Sequence, residues 1–102
     1  MSRVRVAAAA DVPEGHATIV DVAGTRVALF HRPDGWYAVE NACTHRGGPL
    51  GEGDVEGSVV TCPWHGGQFD LRTGAVVAPP PARPVRTFPV VVEGEDVWLE
   101  VS

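Results

Sequence analysis

Two cysteines and two histidines lie in two short segments near the middle of the chain. Cys43 precedes His45 by two residues, and Cys62 precedes His65 by three. Sixteen residues separate His45 from Cys62. Each segment therefore offers one sulfur and one imidazole donor, which are ligand types suited to zinc and to iron–sulfur chemistry. The spacing predicts a metal site built from these four side chains.

Two kinds of metal centre fit four such donors. They can complete the tetrahedral shell of one zinc ion, or they can bind the two irons of a [2Fe–2S] cluster. A zinc finger usually takes its cysteine pair from one element and its histidine pair from another. Here each segment mixes the two types, which favours the dinuclear cluster. Mononuclear zinc is an alternative, as is a metal-free cysteine pair, packed or in a disulfide, with histidines at the surface.

The donor segments lie in a glycine-rich stretch that separates two strand-rich flanks. Short apolar runs, Val59-Val60 and Val76-Val77, predict short strands joined by long loops within that stretch. No pattern predicts a helix longer than about one turn. We expect one all-β domain over residues 1–102. Its cluster-binding subdomain would cover about 41–78, and its base would comprise about 1–40 and 79–102.

The flanks should form antiparallel strands that hold the glycine-rich stretch. Period-two alternation, β-branched residues and turn residues predict strands at Arg3–Val6, Ala17–Val22, Thr25–His31, Trp36–Glu40, Arg86–Val92 and Asp96–Val101. Pro33-Asp34-Gly35 is a predicted turn, because proline presets φ and aspartate and glycine tolerate a tight return. The last two strands should form a hairpin around Glu93-Gly94-Glu95.

Composition and charge exclude several classes of function. The 102 residues include 13 acids and 8 basic residues, all arginine, for a net charge of −5. That balance disfavours a nucleic-acid binder. No window approaches the about 20 apolar residues of a membrane span. Arg5 and Asp11 bound an apolar run too short for an export signal. We therefore expect the cytoplasm, where two cysteines are more often ligands than a disulfide.

The donor segments and their neighbours carry a family resemblance. CxH, sixteen residues and CxxH, with Gly47-Gly48-Pro49 after the first pair and Gly66-Gly67 after the second, resemble the Rieske iron–sulfur signature. The run from Cys62 through Asp70 is similar to Rieske-type ferredoxins. The flanking strands, the proline-rich residues 78–84 and the last hairpin extend the similarity over most of the chain. The resemblance implies a Rieske fold with an antiparallel β-sandwich base.

The resemblance also implies roles for individual residues. Cys43 and Cys62 would hold one iron of a single [2Fe–2S] cluster, and His45 and His65 the other, more exposed iron. The cluster environment would comprise Gly47, Gly48, Trp64, Gly66 and Gly67. Without side chains, these glycines could bring backbone N–H groups close to the bridging sulfides.

The ligand set and its surroundings predict a reduction potential. Two thiolates and two neutral imidazoles leave the oxidised site neutral, so adding an electron costs less than at an all-thiolate site. Rieske potentials therefore span about −150 to +300 mV. High-potential members carry an extra cysteine pair where this chain has Gly48 and Trp64, and hydroxyl donors where it has Gly67 and Phe69. We predict the low end of the range.

The leading functional hypothesis is a soluble, monomeric one-electron carrier and not an enzyme. It would take electrons from a flavin-dependent NAD(P)H reductase and pass them to a terminal Rieske oxygenase, as in aromatic-compound catabolism. The histidine edge would be the exit, rimmed by Arg46, Pro49, Trp64 and Gly66. A small Rieske-like subunit of an assimilatory nitrite reductase is the alternative within electron transfer. A zinc-bound structural or interaction module is the alternative from another class.

Three further side chains are expected to have structural or solvent-exposed roles and not to bind metal. His16 follows a turn and His31 ends a predicted strand, so solvated or capping roles are expected for both. These two histidines also cannot supply the 2-His-1-carboxylate iron site of a terminal oxygenase in a domain this small. Trp64, between two ligands, is expected to pack against the cluster region in preference to contacting a partner.

Overall fold

The computed structural model describes residues 2–44, 47–64, 66–79, 81 and 83–101. In these ranges the chain forms eleven strands, all paired antiparallel, and two single-turn 3-10 helices at Ala9–Asp11 and Leu50–Glu52. The strands are β1 Ser2–Ala8, β2 Ala17–Val22, β3 Thr25–Arg32, β4 Gly35–Glu40, β5 Asp54–Glu56, β6 Val59–Thr61, β7 Gln68–Asp70, β8 Val76–Ala78, β9 Thr87–Phe88, β10 Val90–Glu93 and β11 Asp96–Val101. The predicted all-β class is confirmed. No helix in the described ranges is long and apolar enough to cross a membrane.

The strands form three sheets. Their orders are β1-β11-β10, β2-β3-β4-β9 and β5-β6-β7-β8. The predicted meander of β2, β3 and β4 is present, with the first turn at Ala23-Gly24. The third sheet falls entirely within the glycine-rich stretch, and its strands are each three residues long.

The prediction of a single strand over Arg86–Val92 is wrong. It divides into β9 and β10, and the two halves pair in different sheets: β9 with β4, and β10 with β11. Pro89 lies at the division. Proline has no N–H to donate to a ladder, which favours a break at that position. The chain thereby crosses from one sheet of the base to the other, and the hairpin with β11 begins only at Val90.

Strand β3 is the centre of the packing because both of its faces are buried. Ala28 and Phe30 point into one core, whereas Val27 and Leu29 point into the other, as the period-two geometry of a strand requires. The first core, called the cysteine core below, consists of Ala28, Phe30, Val39, Cys43, Leu50, Val60, Cys62, Phe69, Leu71 and Val85. The second lies between the two base sheets.

Polar contacts connect the glycine-rich stretch to the base. Arg72, just after β7, makes an ion pair with Asp34 in the β3–β4 turn, with 3.2 Å between guanidinium nitrogen and carboxylate oxygen. The Tyr37 hydroxyl donates to the same oxygen at 2.9 Å. The hydrogen bond from Tyr37 and the nearby Arg72 cation lower the pKa of Asp34 below its usual value. The contact therefore stabilises the fold with the carboxylate ionised.

Candidate metal centre

Two loops bring the cysteines into the protein. Loop 1, residues 42–49, joins β4 to the second 3-10 turn, and loop 2, residues 62–67, joins β6 to β7. Cys43 and Cys62 are only 5% and 3% exposed, and both belong to the cysteine core. Each loop begins at a strand end that is itself anchored in a sheet, so the sulfur-bearing residues are fixed by the fold.

The two loops share one backbone hydrogen-bond pattern. In loop 1 the Cys43 N–H donates to the Gly48 carbonyl at 2.9 Å, and the Gly47 N–H donates to the Cys43 carbonyl at 2.7 Å. In loop 2 Cys62, Gly67 and Gly66 repeat these bonds at the same sequence spacing, with lengths of 2.7 and 3.1 Å. The loops are therefore matched supports that present one cysteine each in the same way.

The backbone favours glycine at the same place in both loops. Gly47 has φ +77° and Gly66 has φ +75°, in the left-handed region that other residues rarely adopt. The N–H groups of these two glycines donate to the carbonyls of Cys43 and Cys62. These two N–H groups therefore close the loops, and donation from the glycines to the bridging sulfides stays a prediction.

The loops meet at Gly48. A Cβ at this position would lie 2.5 Å from the Cys62 sulfur and 3.2 Å from ring carbons Cγ and Cδ2 of Trp64. Real Cβ atoms essentially never lie within 3.0 Å of another heavy atom, so a side chain here would displace the Cys62 sulfur. Gly48 of loop 1 is thus in contact with both the ligand candidate and the indole of loop 2, and the absence of a side chain there permits the close approach.

Asn41 anchors the base of loop 1. Its side-chain Oδ1 accepts the Gly51 N–H at 2.8 Å, and its backbone carbonyl accepts the Leu50 N–H at 2.7 Å. Asn41 is 7% exposed, and it is the buried polar residue of the described chain. Sequence reasoning missed it. An asparagine at the junction of a strand and a glycine-rich loop was the available signal, because such side chains commonly bond nearby backbone.

The proline-rich segment is attached to loop 1 next to Cys43. The Thr44 hydroxyl donates to the Arg83 carbonyl at 2.7 Å, and the Arg83 guanidinium donates to the Thr44 carbonyl at 3.5 Å. Pro81, in the same segment, is buried. These contacts join residues far apart in sequence, so no local sequence pattern predicts them.

The structure places the predicted site residues as follows. Cys43, Cys62, Gly47, Gly48, Trp64, Gly66 and Gly67 lie in the two loops. His45, His65 and Arg46 fall outside the described residues. His16 is exposed, as expected.

His31 differs from its expected solvated or capping role. It lies within β3, its imidazole stacks on Trp36 with ring centroids 4.0 Å apart, and its Nδ1 is 2.8 Å from the Val12 carbonyl oxygen. It is a packed histidine of the base.

Trp64 is more exposed than its predicted packing role implies. It is 57% exposed, the largest fraction among the exposed large hydrophobic residues of the described chain. One side of the indole lies beside Gly48, where a Cβ would be 3.2 Å from its ring carbons. One part of the indole therefore lies against loop 1, and the other part faces solvent.

The donor chemistry of this place fits an iron–sulfur centre. Two buried cysteines sit on matched loops within the cysteine core, and thiolates are the ligands that iron–sulfur clusters use. Iron binds cysteine as the thiolate, and the apolar residues of the cysteine core suit a site whose net charge is near zero.

Comparison with known proteins defines the class. The family model of the Rieske [2Fe–2S] domain matches residues 2–89, and the chain belongs to this family. The family resemblance drawn from the loops is confirmed, and the cofactor is one [2Fe–2S] cluster per chain.

The relatives refine that class. The chain is 39% identical over 93 residues to the biphenyl dioxygenase ferredoxin subunit of Pseudomonas sp. strain KKS102, covering 90% of this chain and 85% of the relative. It is 36% identical over 92 residues to the ferredoxin component of the naphthalene 1,2-dioxygenase system of Pseudomonas aeruginosa, covering 90% and 88%. These relatives are ferredoxins, and the chain is likewise an electron-transfer protein and not an enzyme.

Solved structures agree. The ferredoxin of carbazole 1,9a-dioxygenase from Nocardioides aromaticivorans IC177 is 37% identical with a TM-score of 0.91, covering 97% of both chains. A complex of reduced oxygenase and oxidised ferredoxin in carbazole 1,9a-dioxygenase contains a chain 35% identical with a TM-score of 0.88, covering 95% and 91%. A nitrite reductase NADPH small subunit is 26% identical with a TM-score of 0.85, covering 99% and 100%.

Proposed function

We propose that this protein is the ferredoxin component of a ring-hydroxylating dioxygenase system. It receives single electrons from a flavin-dependent NAD(P)H reductase and delivers them to a terminal Rieske oxygenase. The observation that carries the proposal is the pair of matched loops with buried cysteines, in a chain whose curated relatives are dioxygenase ferredoxins. The cytoplasm is the proposed compartment, because those reactions use nicotinamide cofactor.

The proposed ligands are Cys43 and Cys62 on one iron and His45 and His65 on the other. Burial of both cysteines in the cysteine core supports the first pair. The bound cluster supplies a site that gains and loses one electron. The surrounding chain holds the ligands and keeps the sulfurs in an apolar environment. We propose residues 41–78 as the cluster-binding subdomain on a base formed by 1–40 and 79–102.

A low midpoint potential follows from the residues around the loops. Phe69 is fully buried and carries no hydroxyl, and Gly67 has no side chain to donate to a sulfur. Each missing donor removes stabilisation from the reduced, more negative state, which lowers the potential. Gly48 and Trp64 occupy the places of the disulfide of high-potential members, and a Cβ at Gly48 would lie 3.2 Å from the indole. Protein-film voltammetry should give a midpoint near the low end of about −150 to +300 mV.

The proposed docking face surrounds Trp64. Beside this residue an open groove of about 490 Å³ is lined by apolar and charged groups, including Arg26, Glu40 and Pro49. Gly66, at the tip of loop 2, is exposed. An exposed aromatic next to a buried redox site supplies contact area for a partner that must approach the cluster closely. The net charge of −5 favours a basic partner surface.

The function is tested by reconstitution. Purified chain, a flavin-dependent ferredoxin reductase and a Rieske dioxygenase are combined, and substrate-dependent NAD(P)H and oxygen consumption are measured. We expect turnover that requires this chain, with the red-brown colour and the reduced-state EPR signal of mixed His/Cys ligation. Cys62→Ser should abolish colour and turnover, whereas His16→Ala, at an exposed position outside the loops, should retain both. Colourless, zinc-loaded protein would refute the proposal.

The nitrite reductase subunit is distinguished by its mode of association. That similarity is 26% in sequence, against 37% for the carbazole dioxygenase ferredoxin. A fixed subunit copurifies with its large partner, whereas a shuttle with a charged docking face dissociates at moderate ionic strength. We therefore expect electron delivery to the oxygenase to slow as salt increases, and the chain to elute as a monomer on gel filtration.

A further inference from the structure

Trp64 occupies an unusual position for a large apolar side chain at a redox site. More than half of it is exposed, yet the residues beneath it are buried: Gly48, and Cys62 at 3%. The Gly48 Cβ position lies within 3.2 Å of the indole and within 2.5 Å of the Cys62 sulfur. The indole and the sulfur therefore approach the same point on loop 1 from loop 2.

This geometry makes Trp64 the outer boundary of the Cys62 environment. Gly48 contributes only backbone there: its carbonyl already accepts the Cys43 N–H, and it has no side chain to cover the Cys62 sulfur. The covering group on this side is the indole. Access of solvent to a metal site is set by the apolar shell around it, and that access changes the stability of the centre.

We propose that Trp64 is a positioning residue that seals the Cys62 sulfur and Gly48 from water. Gly48 is needed for this arrangement, because any side chain there would displace the indole or the Cys62 sulfur. The inference goes beyond electron carriage, since it concerns water at one ligand. It requires the cluster but neither the electron donor nor the acceptor.

The seal is measured on the cluster-loaded protein. Protein is exchanged into D₂O and reduced, and deuterium modulation in pulsed EPR counts exchangeable positions near the cluster. We expect Trp64→Ala to gain deuterium coupling, and Trp64→Phe to remain near wild type because the phenyl ring still covers Gly48. Trp98→Ala, on the sheet that carries neither loop, is the control and should not change.

A second measurement follows loss of the cluster. In a strong iron chelator, the visible absorption of Trp64→Ala should bleach about tenfold faster than wild type, with Trp64→Phe close to wild type. If Trp64→Ala assembles no cluster, Trp64→Leu takes its place in both experiments. Unchanged deuterium coupling in the truncated variant overturns the proposal, as does equal bleaching of all variants. Neither result bears on the EPR signal of the cluster or on electron transfer, so the proposed function is tested separately by the reconstitution experiment.

Discussion

Replacing Gly48 by alanine tests the contact between the two loops directly. The added Cβ would lie 2.5 Å from the Cys62 sulfur. A van der Waals contact needs at least about 3.5 Å, so the two atoms must separate by about 1 Å. Gly48 is not among the residues with positive φ, so the effect is steric and not conformational. Overpacking of this kind costs about 1–3 kcal/mol in folding free energy.

The cluster should respond more strongly than the fold. Metal–ligand distances vary by only about 0.2 Å, which is several times less than the displacement that alanine imposes on the Cys62 sulfur. A small domain with about 5–15 kcal/mol of stability still folds after the loss expected here. We therefore predict that Gly48→Ala purifies as folded protein by circular dichroism but with less than about half of the wild-type iron and acid-labile sulfide per chain.

The neighbouring glycine supplies the control. A Cβ at Gly47 meets nothing within 4 Å, but its φ of +77° is unfavourable for alanine. Gly47→Ala should therefore destabilise the fold by about 1 kcal/mol through backbone strain while retaining its iron. Iron content in Gly48→Ala equal to that of wild type, or equal iron loss in both variants, would refute the steric argument.

Three further predictions concern the supports around the loops. Thr44→Val removes the hydroxyl that donates to Arg83 at 2.7 Å and should lower the free energy of unfolding by about 1 kcal/mol in urea titrations, with Thr44→Ser restoring it. Asn41→Leu leaves the Gly51 N–H without its acceptor and should lower the free energy of unfolding by about 1–3 kcal/mol. Asn41→Asp keeps an acceptor oxygen and should lower it by less. Equal losses in the two variants would contradict the role given to this hydrogen bond. Because the folded-state pKa of Asp34 lies below 3.8, its stabilisation is present above that value and is lost as pH falls through the folded pKa. Asp34→Asn should therefore be less stable than wild type at pH 7, and the difference should close in thermal melts at acid pH.

Most of the base was predictable because its signals are local. Period-two alternation and turn residues such as Ala23-Gly24 identify the meander without knowledge of the partner strands. Pro89 was visible in the sequence, but the break that it makes depends on tertiary pairing. The residues before it pair with β4 and the residues after it pair with β11. Hydrophobic pattern alone does not say which sheet a short strand joins.

The candidate ligands could be selected from the sequence, but the contacts that support them could not. Spacing and residue chemistry select Cys43 and Cys62, and their role as ligands stays a prediction. The contacts of Asn41, Thr44 and Gly48 do not, because each depends on which backbone groups the fold brings beside it. Trp64 is 57% exposed, which the expected packing role did not predict, and its contact with a partner stays a prediction.

The position of the cysteines in the cysteine core has a consequence for the protein in the cell. Cys43 and Cys62 pack in the same group as Phe30 and Phe69, so the residues proposed to bind the cofactor also belong to the centre of the fold. Free energy released on binding the cofactor is then free energy of folding. Chains made during iron shortage are the less stable ones, and chaperones and proteases remove such chains preferentially. We therefore expect the amount of this protein, as well as its activity, to fall when iron is scarce.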